Sequence, residues 1–363
     1  MNILILCTDA FGGHGGIALF NRDLSEALAQ LPERGEIVLL PRIIRNVVGP
    51  VPDGVTFVEA AARGQFAYAR ELTRARRRTK FDLVICSHIN LLPLARIAAH
   101  DPLLITYGIE AWRPRRRSSN ALLHHCRGIV AISDITRSRL VSWSKYAGPT
   151  FILPNAVRPD RYGIRPKRRD LVERYKLEGK RVVLTLGRID WSERYKGFDE
   201  ILEILSQLPD DVVYLIAGGG SDVQRLQKKA MALGVGDRVR FTGIFGEEEK
   251  ADLYNLADVY AMPSRGEGFG FVILEAMASG VPVIASKHDG GREAVLDGEL
   301  GTLVDPSNPA DIRTAIADAL EIGERKIPAK LEYFAMERFT ERVHAIVRAT
   351  ASPCDHSEVA AQR

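Results

Sequence analysis

The chain has 363 residues, 46% hydrophobic and 26% charged, which is the composition of a globular protein with room for two domains. Its apolar runs are too short to cross a membrane, and its opening MNILILC is too short for a secretory signal, so we expect neither. The net charge of +4 combines a basic segment, 1–165 (23 Lys and Arg against 13 Asp and Glu), with an acidic remainder (27 against 33).

The first half alternates short apolar runs with helical patterns, which predicts a parallel α/β sheet. The runs lack alternating polar residues, as expected for strands that are covered on both faces. Helical patterns lie at 19–29 and 91–99, and the predicted strands are 3–7, 37–40, 83–87, 103–106, 129–132 and 151–153.

A glycine loop, GGHGG at 12–16, follows the first predicted strand and precedes a helical pattern. Its backbone can approach a ligand closely because no Cβ intrudes. Gly13, Gly15 and Ala18 also satisfy the G-x-G-x-x-A dinucleotide fingerprint, so an NAD(P)-dependent oxidoreductase is an alternative, as is a purely structural turn. The second predicted strand, however, ends without the acidic residue that would hold a ribose.

Two basic segments of the first half are open to two interpretations. They are either solvated faces or surfaces for an anionic membrane or a phosphate-bearing acceptor. Nucleic acid is disfavoured because no aromatic stacking pattern accompanies the arginines. The basic residues concerned are Arg74, Arg76, Arg77, Arg78, Lys80, Arg113, Arg115, Arg116 and Arg117.

The alternation restarts near residue 180, after a Pro- and Arg-rich segment at 154–170 that we predict to be a linker. The second-half strands are predicted at 182–186, 213–217, 239–242, 259–262 and 283–285, with a helical pattern at 199–208. The fold class is therefore α/β, with two doubly wound, Rossmann-like domains that should face a central cleft. We expect domains at 1–160 and 161–333, a helix at 334–350 and a disordered tail at 351–363.

The segment GRIDWSERYKG at 187–197 places two cations, Arg188 and Lys196, at the carboxyl edge of the second sheet. Two converging cations suit a diphosphate, because they bind its charge and stabilise the charge that develops as it leaves. The alternative is a surface loop with a solvated lysine–glutamate network. Gly218 and Gly243 follow the next two strands. The backbone there could support a base or a ribose, or these residues could simply form ordinary strand-to-helix turns.

The segment SRGEGFGFVILE at 264–275 is the most informative. It places Glu267 in a glycine-rich loop and Glu275 about one turn into a helix that should begin after Gly270. Helix N-termini preceded by glycine are anion sites. The two carboxylates would frame a ligand that carries phosphates and hydroxyls, which is typical of a nucleotide-sugar site.

No metal site is expected, because the chain has no D-x-D and no His, Cys, Asp or Glu cluster with metal-ligand spacing. The cysteines Cys7, Cys86, Cys126 and Cys354 are scattered, which predicts reduced side chains in a cytoplasmic protein.

Taken together, these motifs resemble glycosyltransferase family 4, the retaining nucleotide-sugar transferases of GT-B fold, over nearly the whole chain. The resemblance implies that Arg188 and Lys196 bind the donor diphosphate and that Glu275 holds the ribose hydroxyls. It implies that Glu267 meets the transferred sugar together with Gly268, Phe269 and Gly270. Gly15 and Gly16 would touch the phosphates and the sugar, and Gly218 and Gly243 would complete the donor site. The segment 334–347 would be the C-terminal helix that crosses back to the first domain.

The acceptor side departs from the family pattern. Many members carry a histidine at the end of an N-terminal-domain strand, whereas this chain has Tyr107, in ITYGIEAW. A tyrosine hydroxyl can hydrogen-bond a sugar but is a poor base near neutral pH. His88 and His14 are possible substitutes, and Glu110 keeps the acidic position of the pattern.

The resemblance implies a metal-independent transferase that uses no cofactor and moves a hexose from GDP-mannose or a UDP-hexose to an acceptor hydroxyl. With the basic segments it favours a saccharide or lipid-linked saccharide acceptor in bacterial polysaccharide biosynthesis. The protein would then lie in the cytoplasm or at the inner face of the cytoplasmic membrane. The alternatives are the oxidoreductase and a non-catalytic sugar-nucleotide-binding protein.

Overall fold

A computed structural model of the protein describes residues 1–114 and 117–351. They form two compact units: unit 1 comprises Met1–Ala156 and the residues from Met336, and unit 2 comprises Val157–Ala335. Arg115, Arg116, Cys354 and the predicted tail from residue 352 lie outside the described residues, as does the side chain of Arg117.

Unit 1 contains a seven-stranded parallel sheet with the order β3-β2-β1-β4-β5-β6-β7. The central strand β1 (Ile3–Cys7) is fully buried and pairs in parallel with β2 and β4. The other strands are β2 (Ile37–Pro41), β3 (Val55–Phe57), β4 (Leu83–Ser87), β5 (Leu103–Thr106), β6 (Gly128–Ala131) and β7 (Thr150–Ile152). The helices are α1 (Gly16–Ala29), α2 (Gln65–Arg78), α3 (Leu92–Ala98), α4 (Arg117–Leu123) and α5 (Asp134–Ser144).

Unit 2 contains a six-stranded parallel sheet with the order β10-β9-β8-β11-β12-β13. Its strands are β8 (Arg181–Leu186), β9 (Val212–Ala217), β10 (Val239–Phe241), β11 (Val259–Met262), β12 (Val283–Ser286) and β13 (Thr302–Val304). Its helices are α6 (Arg169–Arg174), α7 (Phe198–Ile204), α8 (Val223–Ala232), α9 (Lys250–Leu256), α10 (Phe271–Ala278), α11 (Gly291–Ala294) and α12 (Pro309–Leu320). Because every strand runs in one direction, the loops that follow the strands meet at one edge of the sheet.

The last helix, α13 (Met336–Ala351), belongs to unit 1. It packs on α1, where the rings of Phe20 and Phe339 lie 5.5 Å apart, and the His344 ring is 2.8 Å from the carbonyl oxygen of Ala27. The chain therefore returns to its first unit, as the predicted fold requires. Within the described part of the chain, no helix is both long and apolar enough to cross a membrane.

The α/β prediction with two parallel sheets is confirmed. Two strands were not predicted, β3 and β13, and each has only three residues at the edge of its sheet. The other two edge strands, β7 and β10, are equally short but were predicted to within one residue at each end, so shortness alone does not explain why β3 and β13 were missed.

Candidate active site

Three glycines, Gly187, Gly218 and Gly243, allow the backbones that follow β8, β9 and β10 to lie close together at the carboxyl edge of the unit 2 sheet. Gly218 has φ +137°, and a Cβ there would lie 2.0 Å from the carbonyl oxygen of Gly187. Gly218 also forms an isolated bridge with Gly243, and its N–H donates to the Thr242 hydroxyl at 3.1 Å. The ends of β8, β9 and β10 are therefore packed so closely that only glycine fits at 218.

The two predicted cations, Arg188 and Lys196, are joined by a carboxylate that the sequence analysis did not identify. Glu193 has only 9% of its side chain exposed; one carboxylate oxygen pairs with Arg188, and the other lies 2.7 Å from the Lys196 Nζ. Glu193 and Lys196 lie in the turn Trp191–Lys196, which follows β8. The i, i+3 spacing of the two residues was a visible signal, but it did not reveal that the glutamate is buried.

Lys196 lies between the end of β8 and the Glu267 loop. A Cβ on Gly187 would be 3.4 Å from the Lys196 Nζ, and the Arg265 N–H donates to the carbonyl of Tyr195 at 2.7 Å. Burial lowers the pKa of Lys196, the Glu267 carboxylate opposes that change, and Arg188 adds to it. The structure thus brings three predicted site residues together: Arg188, Lys196 and Glu267.

The Glu267 loop, between β11 and α10, is fixed by a second buried carboxylate. The Asp289 carboxylate accepts hydrogen bonds from the Glu267 N–H at 2.8 Å and the Ser264 hydroxyl at 2.6 Å. The Gly268 N–H donates to the Glu267 side chain at 3.1 Å. No motif in the sequence analysis pointed to Asp289, because its role depends on two loops meeting in space.

Glu275 is buried within α10, and both of its carboxylate oxygens have partners. The Lys250 ammonium lies 2.6 Å from one oxygen, and the Tyr254 hydroxyl donates to the other at 2.8 Å. Burial lowers the pKa of Lys250, but the nearby carboxylates outweigh it and raise that pKa above the ordinary value. Tyr260 lies near both motif glutamates, and its pKa is raised by burial, Glu267 and Glu275.

The ring of Phe269 is buried and packs edge-on against Phe334, with the ring centroids 5.6 Å apart. The ring of Phe269 therefore packs in the interior of unit 2. Gly270 caps α10 with φ +94°. The contacts of Phe269 and Gly270 with the sugar stay predictions. Main-chain groups of these two residues would make those contacts.

In unit 1, the glycine loop caps α1 as predicted. Gly15 is the N-cap, with φ +94°, and Gly16 is the first helical residue. A Cβ on Gly13 would collide with the Asp9 carboxylate, which itself accepts the Ala10 N–H at 2.8 Å. The loop thus presents the N-terminus of a 14-residue helix without a side-chain cap, and its contact with the donor stays a prediction.

Tyr107 is buried rather than presented to solvent. Its hydroxyl lies 3.1 Å from the side-chain oxygen of Asn21 and 2.5 Å from the hydroxyl of Ser87, and its ring packs on Phe20 at 5.2 Å. Burial raises the pKa of Tyr107 well above that of an ordinary tyrosine, so it cannot act as a base near neutral pH. These contacts give the hydroxyl a structural role, and its predicted contact with the sugar is not supported by them.

The other acceptor-side candidates lie beside Tyr107 at the ends of β4 and β5. A Glu110 carboxylate oxygen accepts the Tyr107 N–H at 2.5 Å, which holds the turn after β5. His88 is 8% exposed and accepts the Asn90 N–H at Nδ1, whereas His14 is exposed in the glycine loop. Glu110 and His88 therefore stabilise local turns, and their contact with an acceptor stays a prediction.

No group of three or more His, Cys, Asp and Glu side chains in the described residues could hold a metal ion. Cys7, Cys86 and Cys126 are free and buried.

Comparisons with known proteins were made for both sequence and structure. Residues 167–338 match the family described as "Glycosyl transferases group 1". A GDP-mannose-dependent alpha-(1-6)-phosphatidylinositol monomannoside mannosyltransferase of Mycolicibacterium smegmatis is 37% identical over 244 residues, 63% of each chain. A phosphatidyl-myo-inositol mannosyltransferase of Mycobacterium leprae is 30% identical over 344 residues, 88% of this chain and 86% of that protein.

The crystal structure of Anabaena Alr3699/HepE in complex with UDP and glucose is similar in fold, with a TM-score of 0.75 over 96% of this chain and all of that one. Its sequence is 20% identical, so this likeness concerns the fold alone. The chain spans 63% of the length of the M. smegmatis relative and 65% of that of two Mycobacterium tuberculosis relatives with the same description.

Proposed function

Because this chain belongs to the group 1 glycosyl transferases, we propose that it transfers a hexose from a nucleoside-diphosphate sugar to a hydroxyl of a lipid-linked acceptor. The proposal includes retention of the anomeric configuration and independence from metal. With membership of this family, the oxidoreductase alternative based on Gly13–Ala18 loses its basis.

The observation that carries the proposal is the arrangement of charges at the carboxyl edge of unit 2. Arg188 and Lys196 are held by one buried carboxylate, Glu193, beside the Glu267 loop. A diphosphate would find two positively charged donors that Glu193 orients, while the Glu193 and Glu267 carboxylates compensate part of their charge. The sugar attached to that diphosphate would then reach Glu267.

The chain's own groups would do the chemistry as follows. Arg188 and Lys196 would stabilise the negative charge on the departing phosphate, which itself would take the proton of the attacking hydroxyl. Glu267 would orient the sugar and stabilise its developing positive charge. Attack on the face from which the phosphate leaves would give retention.

GDP-mannose is the donor that we propose, and an inositol-containing phospholipid is the acceptor. Support comes from the relatives at 37% and 30% identity, whose descriptions name GDP-mannose and phosphatidylinositol-based acceptors. Guanine recognition by this chain would involve the loops after β9 and β10, where Gly218 and Gly243 lie, and mannose recognition would involve the Glu267 loop.

A basic face of unit 1 supports contact with an anionic membrane. Phe66 is 94% exposed at the start of α2, and Arg70, Arg74 and Arg77 follow on the same face at helical spacing. The buried Glu71 lies 3.0 Å from both Arg70 and Arg74, so it orders their guanidinium groups. An apolar tip beside ordered arginines suits the interface of an anionic bilayer, at the inner face of the cytoplasmic membrane.

The test is transfer of labelled mannose from GDP-mannose to phosphatidylinositol vesicles by the wild type and two lysine variants. Lys196→Met keeps the length of the side chain but removes its charge, and Lys180→Met does so at an exposed position of the same unit. We expect Lys196→Met to lose at least about a hundredfold in kcat/KM, since a charged group at the leaving phosphate is removed, and Lys180→Met to match the wild type.

Equal activity of the two variants would contradict the role of the cation cluster. Binding of labelled GDP-mannose by a wild type that transfers no mannose would instead favour the non-catalytic sugar-nucleotide-binding alternative. Activity that survives EDTA would support metal independence.

A further inference from the structure

Asp289 is a buried carboxylate that the proposed chemistry does not use. It lies in the loop between β12 and α11 and is 2% exposed. One of its oxygens accepts both the Ser264 hydroxyl and the Glu267 N–H, at 2.6 and 2.8 Å. The other accepts the Gly291 N–H at 3.0 Å. A single side chain thus joins the β12–α11 loop to both ends of the segment 264–267.

The backbones of the same two loops are also in direct contact. The Gly290 N–H donates to the Glu267 carbonyl at 2.9 Å, and a Cβ on Gly290 would lie 2.1 Å from the Gly268 carbonyl oxygen. The main chain of Glu267 is therefore held at its N–H by Asp289 and at its carbonyl by Gly290.

We propose that Asp289 is a positioning residue for sugar transfer: its carboxylate fixes the main chain of Glu267, so that the Glu267 side chain meets the sugar in the reactive orientation. This inference rests on the proposed function, in which Glu267 contacts the transferred sugar. Asp289 touches neither the sugar nor the diphosphate, so it acts through Glu267 alone.

The charge state of Asp289 matters to this role. As a carboxylate, Asp289 can accept hydrogen bonds from both the Ser264 hydroxyl and the Glu267 N–H at one oxygen. If that oxygen carries a proton, or is replaced by an amide NH₂, it becomes a donor and repels the Glu267 N–H. Burial raises the pKa of Asp289 to about 6, although its three hydrogen bonds act to lower it, and the Glu267 carboxylate adds to the rise.

Other charged groups near this loop have their own partners. His288 Nε2 lies 3.3 Å from Asp305, and Arg292 pairs with Asp297. Protonation of Asp289 below about pH 6 should therefore release the Glu267 loop and slow transfer.

The experiment compares Asp289→Asn with Asp297→Asn, a control at an exposed aspartate three residues beyond α11. Mannose transfer from GDP-mannose is measured from pH 5 to 8, and GDP binding is measured by thermal shift. We expect Asp289→Asn to lose about tenfold to a hundredfold in kcat at pH 7.5, because a misplaced sugar contact slows the chemical step. GDP binding should be unchanged, and the fall of kcat below pH 6 that we expect of the wild type should be absent. The control should behave as the wild type.

Ser264→Ala provides a second variant in case Asp289→Asn does not fold. It removes one hydrogen bond that stabilises the carboxylate, so the acid fall of kcat should move to higher pH. If the wild type is active and either Asp289→Asn or Ser264→Ala has the same kcat and the same acid fall of kcat as the wild type, this inference alone is overturned. A wild type that transfers no sugar would overturn both the inference and the proposed function.

Discussion

Lys196 is the residue whose charge state the proposed donor site depends on most directly. Burial lowers its pKa, so it loses its proton at a lower pH than an ordinary lysine. In the proposed donor site, the diphosphate would bind the protonated form of Lys196. Donor affinity should therefore be complete near neutral pH and fall as the pH rises through the lowered pKa.

The check is the dissociation constant of GDP, measured by calorimetry from pH 6.5 to 10. We expect affinity to weaken progressively at the alkaline end in the wild type. In Lys196→Arg this fall should be absent, because a guanidinium stays charged throughout that range. An alkaline fall that persists unchanged in Lys196→Arg would show that another group causes it.

Glu275 is a candidate ligand-binding carboxylate that is buried beside a lysine. Its partner Lys250 has 13% of its side chain exposed, and Glu275 has 3%. Removing one member of such a pair leaves a buried charge uncompensated, which typically costs about 3–5 kcal/mol. We expect Lys250→Met to destabilise the protein by about 3 kcal/mol in urea denaturation.

Lys330→Met is the matched control, because Lys330 pairs with Glu299 at the surface of the same unit, with side chains 67% and 54% exposed. Its loss should cost less than about 1 kcal/mol. Equal losses in the two variants would mean that Lys250 does not compensate the Glu275 charge.

Among single residues, the sequence pointed to the candidate ligand-binding groups but not to the carboxylates that hold them. Arg188, Lys196 and Glu267 lie in glycine-rich segments whose positions after strands could be predicted, and the structure brings them together. Glu193 and Asp289 could not be assigned, because their roles come from burial and from contacts between loops that are distant in sequence.

Among the elements, the glycine-lined ends of β8, β9 and β10 determine the shape of the candidate donor site. Gly218 combines a φ of +137° with a backbone contact that excludes a Cβ. We expect Gly218→Ala to lose about 2 kcal/mol or more in free energy of unfolding, and GDP binding with it, because strain and a steric clash add. Urea denaturation and calorimetry provide the measurements.

Gly323→Ala serves as the control for that substitution, since a Cβ at Gly323 meets no atom within 4 Å. Its stability and GDP affinity should equal those of the wild type within about 0.5 kcal/mol. A Gly218→Ala protein as stable as this control would contradict the packing of the strand ends.

Most elements could be predicted because each has a buried apolar run. The prediction placed β1, β4, β5 and β11 with their observed bounds, and these strands are buried along their whole length. The ends of the other predicted strands differ by at most one residue, since polar residues such as Arg181 begin a strand without an apolar signal. Of the three-residue edge strands, β3 and β13 were not predicted, whereas β7 and β10 were.

For the molecule as a whole, the uneven charge distribution leads to a prediction about membranes. Reversal of two exposed arginines of α2, in Arg76→Glu/Arg77→Glu, should remove about 1 kcal/mol or more per residue from binding to anionic vesicles. Co-sedimentation with phosphatidylglycerol vesicles at low salt should show at least a tenfold loss. This pair leaves Arg70 and Arg74 with Glu71, so the helix keeps its internal ion pairs.

The control reverses the same charge in unit 2, through Lys176→Glu/Lys180→Glu. If net charge alone governed binding, both variants would lose affinity equally. Selective loss in the α2 variant is the expected result, and failure of the wild type to bind vesicles at low salt would rule out the membrane contact.

The central claim is that this chain moves a hexose from a nucleoside-diphosphate sugar to a lipid-linked hydroxyl with retention. The most direct measurement is NMR of the product formed from GDP-mannose and phosphatidylinositol vesicles in the presence of EDTA. We expect a mannosylated lipid with the same α configuration as the donor. A β-linked product, or no lipid product from GDP-, UDP-, ADP- or TDP-sugars, would contradict this claim.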